Sequence, residues 1–204
     1  MSTAKSNAGR PRDDRVTEAL YAATLTELSL HGLEKTTVSA VATRARTSKQ
    51  AVYRRFKDKT DMIAAAVENA TAAMEPVAPQ RGNVASDLRR CLTGMVEAFQ
   101  NTDLGRALQT LIACPDISPF HRILEDIEEN QRLVLRQIFI ATPFEADMET
   151  RIDLLLGLVY YRVLFRKEDV TEPEIEAAIY LVLGLVAPRD PTPDSGAGSG
   201  LPGL

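Results

Sequence analysis

Residues 33 to 60 read LEKTTVSAVATRARTSKQAVYRRFKDKT, two short apolar-periodic runs at 38–45 and 49–56 divided by a tight polar turn and crowded with Lys and Arg. Thr37 and Ser48 stand immediately ahead of the two runs, where a side-chain oxygen can accept from a free helix N–H. In the first run Val38, Val41 and Ala42 share an inward face. In the second, Ala51, Val52 and Phe56 form the buried side and leave Lys49, Gln50, Tyr53 and Arg54 outside. The pattern predicts a helix-turn-helix.

Such a unit suits duplex DNA. The major groove is about 12 Å wide and admits one α-helix, and the phosphate backbone attracts cations and helix N-termini. The first helix of the pair crosses the backbone while the second reads base edges with its N-terminal residues. The expected DNA-facing set is therefore Thr37, Ser39, Arg46, Thr47, Ser48, Lys49, Gln50, Tyr53, Arg54 and Lys59. Gln50 can pair bidentately with adenine, and Lys49 can reach guanine or phosphate. Tyr53 can lay its ring on the sugar-phosphate wall, and Lys59 would add a flanking phosphate contact. Adjacent Arg54 and Arg55 point about 100° apart, so Arg54 is the stronger choice of the two.

Charge agrees with this placement. The chain carries 24 Lys+Arg against 28 Asp+Glu, a net charge of -4, yet residues 1–60 hold 12 basic against 6 acidic residues and the remainder 12 against 22. An ordinary solvated surface could carry the same imbalance; the turn and its caps favour the DNA-facing reading.

Outward from this segment the period is helical throughout. A first helix is expected at 14–31 from Val16, Ala19, Leu20, Ala23, Leu28 and Leu30, stopped by Gly32. A fourth begins at Thr60 or Asp61 and runs to about residue 75. Pro76, Pro79 and Arg81-Gly82 then mark a kink or the passage into a second region. Further helices follow at 84–99, 104–113, 119–141, about 147–165 and 173–186, making nine. Ser118 before Pro119 is read as a cap, and Thr171 with Glu174 as a capping box. The fold class is all-α, with an N-terminal three-helix unit over 13–60 and a helical domain over 61–187. A basic arm (1–12), either unstructured or lying in a minor groove, and a Pro/Gly/Ser-rich tail (188–204) flank them.

Several function classes lack their chemistry. Cys91 and Cys114 form no CxxC pair, the only histidines are His31 and His121, and no metal or cofactor is expected. The acidic group Glu125, Asp126, Glu128 and Glu129 reads as a solvated helix face, and no nucleophile motif or phosphate loop accompanies it. An enzyme with an addressing module is the competing class, which turnover of a bound ligand would revive. No apolar leader precedes a cleavage site, and the apolar run at 154–164 is interrupted by Tyr160, Tyr161 and Arg162. A soluble, cytoplasmic protein is the expectation.

The stretch VSAVATRARTSKQAVYRRFKDKTDMI resembles the DNA-binding signature of TetR-type transcriptional repressors over roughly residues 14–65. It departs from that signature twice. Arg46 occupies the turn position that is usually Gly, and Ala40 occupies a usually acidic position in the first helix of the pair. Arg46 therefore implies a small strain or an altered turn, and brings an extra cation beside the duplex. Ala40 forfeits the reciprocal half of a capping box at Thr37.

The remainder resembles, more loosely, a TetR-type regulatory domain. The resemblance implies a homodimer formed by the last two long helices, a palindromic operator, and a cavity for an unknown small-molecule effector. The apolar helix around 152–165 needs cover on several faces, from a subunit interface or from its own chain. Met95, Phe99, Leu108, Ile112, Tyr160 and Tyr161 combine apolar bulk with a few polar ends and are the candidate pocket lining, with plain core as the alternative.

Overall fold

The computed structural model describes residues 10–74, 79–80, 82–114 and 116–185, with backbone only over 10–13. The expected tail and most of the expected arm lie outside these residues. Among the described residues every regular element is helical: α1 (Arg10–Lys35), α2 (Val38–Arg44), α3 (Lys49–Tyr53), α4 (Lys59–Ala72), α5 (Val84–Gln100), α6 (Asp103–Ile112), α7 (Ser118–Phe139), α8 (Met148–Val159) and α9 (Glu172–Leu183). A π-helical turn and a half, Tyr160–Arg166, continues α8.

Local chemistry sets most of these ends. Thr37, Asp58, Asn83 and Thr102 each accept a backbone N–H at a helix start. Thr171 and Glu174 form the reciprocal capping box of α9. One expected cap shifts. Ser118 lies inside α7, whose cap position is Ile117 without a side-chain hydrogen bond, because Pro119 can occupy the second helical position as readily as the first. The stop expected at Gly32 holds: its backbone leaves the helical region (φ 74°, ψ 177°) and breaks α1 into two helical segments, the short second one closed by the bond from the Thr36 N–H to the Gly32 carbonyl. α1 also begins at Arg10, inside the stretch expected to be an unstructured arm.

Two apolar clusters fill the molecule. The smaller joins Leu20, Ala23, Val41, Ala42, Val52, Phe56 and Met62. The larger runs through α4 to α9 and takes in Leu28, Ile63, Val67, Leu92, Phe99, Leu108, Phe120, Phe139, Leu156 and Ile179. α1 and α4 contribute to both, so each is a rod shared by the two units. Burying a side chain of this size is worth about 1.5–3 kcal/mol, so the larger cluster dominates stability.

The seam between the units is hydrogen-bonded as well as packed. Thr26 and Ser29, one turn apart on α1, donate to the two carboxylate oxygens of Asp103 on α6 at 2.8 and 2.9 Å. Burial works against ionisation of Asp103, but hydrogen bonds from Arg106, Thr26 and Ser29 together hold its carboxyl below the usual range. α6 can reach α1 because its N-terminal turn presses on the end of α5 at Gly105, where an added Cβ would lie 1.7 Å from the Phe99 carbonyl oxygen.

The π-helical segment was invisible to periodicity. Its widened turn frees carbonyls from the α pattern, and Gln109 of α6 donates to the Val163 carbonyl at 2.9 Å. Arg162 reaches Glu174 of α9 at 2.5 Å, and left-handed Lys167 (φ 58°) ends the segment.

Candidate nucleic-acid interface

The helix-turn-helix is built as its sequence requires. The Ala40 N–H donates to Thr37 Oγ1 at 3.1 Å, and the Ala51 N–H donates to Ser48 Oγ at 3.2 Å. Val52 and Phe56 plug the second helix into the small core, although α3 ends at Tyr53 and Phe56 arrives from the following turn. Between the helices the Arg46 N–H donates to the Thr43 carbonyl and the Thr47 N–H to the Ala42 carbonyl. These are the two bonds of a Schellman stop, whose left-handed position ordinarily favours Gly. Arg46 fills it with φ 52°, the strain anticipated from the missing glycine.

A left-handed non-glycine residue costs about 1–2 kcal/mol, partly offset by the extra freedom glycine has in the unfolded chain. Arg46→Gly is therefore expected to raise stability by roughly 0.5–1 kcal/mol. The same change should weaken DNA binding and lower the log affinity versus log salt slope by about 1. Thermal unfolding and a salt titration of DNA binding check both halves; unchanged binding would leave Arg46 with strain and no contact.

One exposed face gathers most of the expected DNA-facing residues. Arg46, Ser48, Lys49, Gln50, Tyr53 and Arg54 are exposed, while Ser39 and Thr47 are half-buried beside them. Tyr53 is 59 % exposed, too open for a core-edge role. Arg46, Lys49, Gln50 and Arg54 have no side-chain hydrogen bond or ion pair among the described residues. That leaves a cationic, uncommitted surface beside the start of α3.

Lys59 is held elsewhere. Its ammonium donates to the Leu33 carbonyl at 2.8 Å and pins the start of α4 to the end of α1. Arg55 is likewise structural, donating to Thr17 Oγ1 at 3.0 Å and to the Ala51 carbonyl at 2.8 Å.

The residues that brace this face were missed by the apolar stripe. Glu27 is 6 % exposed and accepts from Arg44 Nε at 2.6 Å, tying α2 to α1. Ala19 and Leu30, assigned to the buried stripe, are instead exposed. The available signal was position: Glu27 follows Leu20 by two turns and so shares its face. A carboxylate on a buried stripe calls for a cation, and Arg44 supplies it.

A second feature lies beyond this face. A groove of about 640 Å³ opens between the end of α4 (Thr71, Ala72, Met74), α5 (Cys91, Gly94, Met95, Glu97, Ala98) and α7 (Ile127, Asn130, Gln131, Leu133, Val134, Gln137). Of the six residues expected to line a pocket, Met95 lines this groove and the other five lie outside its lining. Phe99 and Leu108 are fully buried core, Ile112 is half-buried against that core, and Tyr161 faces solvent. Tyr160 packs its ring on Phe99 with centroids 6.0 Å apart, and its buried hydroxyl has no hydrogen-bond partner among the described residues. Burial raises the Tyr160 hydroxyl's pKa, so it stays protonated. Burial also pushes the Cys91 thiol up to about 11, so that residue acts as a small neutral hydrophobe.

A braced three-helix unit with an exposed cationic reading helix, set on a larger helical domain, defines a helix-turn-helix DNA-binding transcriptional regulator. Residues 20–66 match the model of the bacterial regulatory proteins of the tetR family, and residues 78–182 match the tetracyclin repressor-like C-terminal domain. The chain belongs to the TetR family.

An uncharacterised HTH-type transcriptional regulator of Mycobacterium tuberculosis, Rv1556, is 43% identical over 187 residues, covering 84% of this chain and 90% of the relative. YdeS of Bacillus subtilis, of the same description, is 24% identical over 178 residues, covering 82% and 88%. Among solved structures, a tetR-family transcriptional regulator from Streptomyces coelicolor superposes with a TM-score of 0.70 at 14% identity, covering 84% of this chain and 80% of the other. The multidrug binding protein EbrR complexed with imidazole gives 0.60 at 13% identity, covering 85% and 96%. The family and the two curated relatives are transcriptional regulators, and this chain is a regulator rather than an enzyme. No described helix is long and apolar enough to cross a membrane.

Proposed function

We propose that the protein is a ligand-responsive repressor that acts in the cytoplasm as a homodimer on a palindromic operator. The observation that carries the ligand-responsive part is the course of α4. One end of this helix lines the groove through Thr71 and Ala72, while the other is bound to the helix-turn-helix unit through Lys59 and Met62. A ligand that fits one tilt of α4 better than another shifts the population between two placements of the reading helix. The Asp103 bridge gives the regulatory domain a second hold on α1. That EbrR is described as binding drugs supports a ligand role for the corresponding domain.

Dimer formation is supported by an apolar face that the chain leaves uncovered. Leu154, Tyr161 and Phe165 are exposed along α8 and its π-helical extension, and Leu181 of α9 is 80 % exposed. Two copies joined there would present paired reading helices to half-sites about one helical turn, roughly 34 Å, apart. Within the proposed interface Lys49 and Gln50 meet base edges, Tyr53 and Arg54 meet the backbone, and Arg46 flanks them.

The test is binding of the purified protein to its own promoter region, followed by fluorescence anisotropy across a salt series. Lys49→Ala and Tyr53→Ala should each weaken binding about 5- to 30-fold, the loss of roughly 1–2 kcal/mol expected for one good contact. Both substitutions are at exposed positions and should leave the thermal midpoint unmoved. Salt-insensitive binding, or full affinity in both variants, would remove the assigned reading surface. A reporter in a deletion strain gives the sign: expression should rise when the protein is lost.

A further inference from the structure

The groove between α4, α5 and α7 has a wall chemistry that narrows what it can hold, and the inference rests on the ligand-responsive reading above. Its floor is apolar and soft: Cys91, Met95, Ala98, Ile127 and Val134. Methionine adapts to irregular shapes, and about 640 Å³ lies within the range of sites that enclose a small organic molecule.

Along the α7 wall stand three primary carboxamides, Asn130, Gln131 and Gln137, none of them hydrogen-bonded to the protein among the described residues. Each offers two donors and an acceptor, so together they can match carbonyl and hydroxyl groups of either polarity. Asn130, Val134 and Gln137 are spaced i, i+4, i+7 with Ile127 one turn earlier, which puts amides and apolar side chains on the same stripe.

Positive charge is what the described wall lacks. None of the described lining residues is basic. The nearest guanidinium groups in sequence on α7 are committed elsewhere: Arg132 binds Glu128, Glu149 and Asp153, and Arg136 binds Glu129 and Glu149. One carboxylate is present, Glu97, but it is exposed and already accepts from Asn101 Nδ2 at 2.7 Å. An anion entering this groove would lose hydration and meet only guanidinium groups already paired with carboxylates, Arg90 beside Cys91 among them through Asp87, and a cation would find one solvated carboxylate; both exchanges are unfavourable.

We infer that the effector is an uncharged lipophile carrying carbonyl or hydroxyl groups along one edge, of the chemistry found in neutral lactones, ketones and amides, and that Asn130, Gln131 and Gln137 read that edge. Carboxylates and phosphate esters are disfavoured by the same described wall.

The test uses three probes with one ring system and different charge: 2-naphthamide, 2-naphthoate and (2-naphthylmethyl)ammonium. Binding to the full-length protein is measured by ligand-observed NMR and thermal shift at neutral pH. The amide is expected to bind at least tenfold more tightly than either ion. Gln137→Lys, at an exposed position that tolerates a long side chain, should reverse the order of amide and naphthoate, and Gln131→Lys should do the same from its own place in the lining. If naphthoate or the ammonium probe equals the amide in the unaltered protein, the neutral class is overturned while the ligand-responsive reading stands. If none of the three binds while promoter DNA is still bound, the inference about this groove is overturned while the ligand-responsive reading stands. Amide binding that neither lysine substitution alters places the probe outside this groove and overturns the inference.

Discussion

Leu181→Glu is expected to turn the protein into a folded monomer. Leu181 is the most exposed large apolar residue among those described, and it lies with Leu154, Tyr161 and Phe165 on the face assigned to the dimer. On a monomer surface the substitution should change stability by no more than about 0.5 kcal/mol. Inside a two-fold interface it would set two buried carboxylates near each other, because every residue of such a face meets the same face of its partner. Light scattering should report half the mass of the unaltered protein, with circular dichroism unchanged. Operator affinity should fall roughly 100-fold or more, since the second reading helix then binds as a separate molecule rather than at a high effective concentration. A variant that stays dimeric would move the interface elsewhere.

The second large effect is predicted for Gly105→Ala. The added methyl would stand 1.7 Å from the Phe99 oxygen and 2.4 Å from its carbonyl carbon, both backbone atoms that no rotamer change can clear. Overpacking a dense interior costs about 1–3 kcal/mol and more when backbone must move, so a loss of about 3 kcal/mol or more is expected. In a chain of this size that corresponds to a fall of roughly 6–12 °C in the thermal midpoint. The displaced helix is α6, which carries Asp103, so the bonds from Thr26 and Ser29 should loosen together with the packing. Hydrogen exchange over α1 and α6 would show this; a variant as stable as the parent would mean that α5 and α6 can separate at little cost.

Much of this architecture is legible in the sequence because helix periodicity and caps agree along the chain. Thr37, Ser48 and the Thr171–Glu174 pair announced helix starts by side-chain chemistry, and the left-handed turn at Arg46 was foreseeable from the absence of glycine. Less legible was whatever depends on a partner distant in sequence. Glu27 makes sense only once Arg44 is beside it, and Asp103 only once α6 lies on α1. The groove escaped for the same reason: three helices each lend it a few ordinary side chains, whereas the aromatic residues Phe99 and Tyr160 were used as core. The π-helical stretch escaped because YYRVLFR carries the apolar pattern of an α-helix, and the bond from Gln109 to its Val163 carbonyl comes from a residue distant in sequence.

The position of α4 also has a geometric consequence. Fourteen residues at 1.5 Å per residue make a rod about 21 Å long. With its Thr71 end against the groove and its Lys59 end fixed to the DNA-binding unit, a tilt of about 10° moves the far end by nearly 4 Å. Successive base pairs are separated by about 3.4 Å. On the ligand-responsive reading proposed above, a shift of the groove wall by a fraction of a side chain would put the reading helix out of step with a half-site by one base pair, regulation by leverage without unfolding any part of the chain.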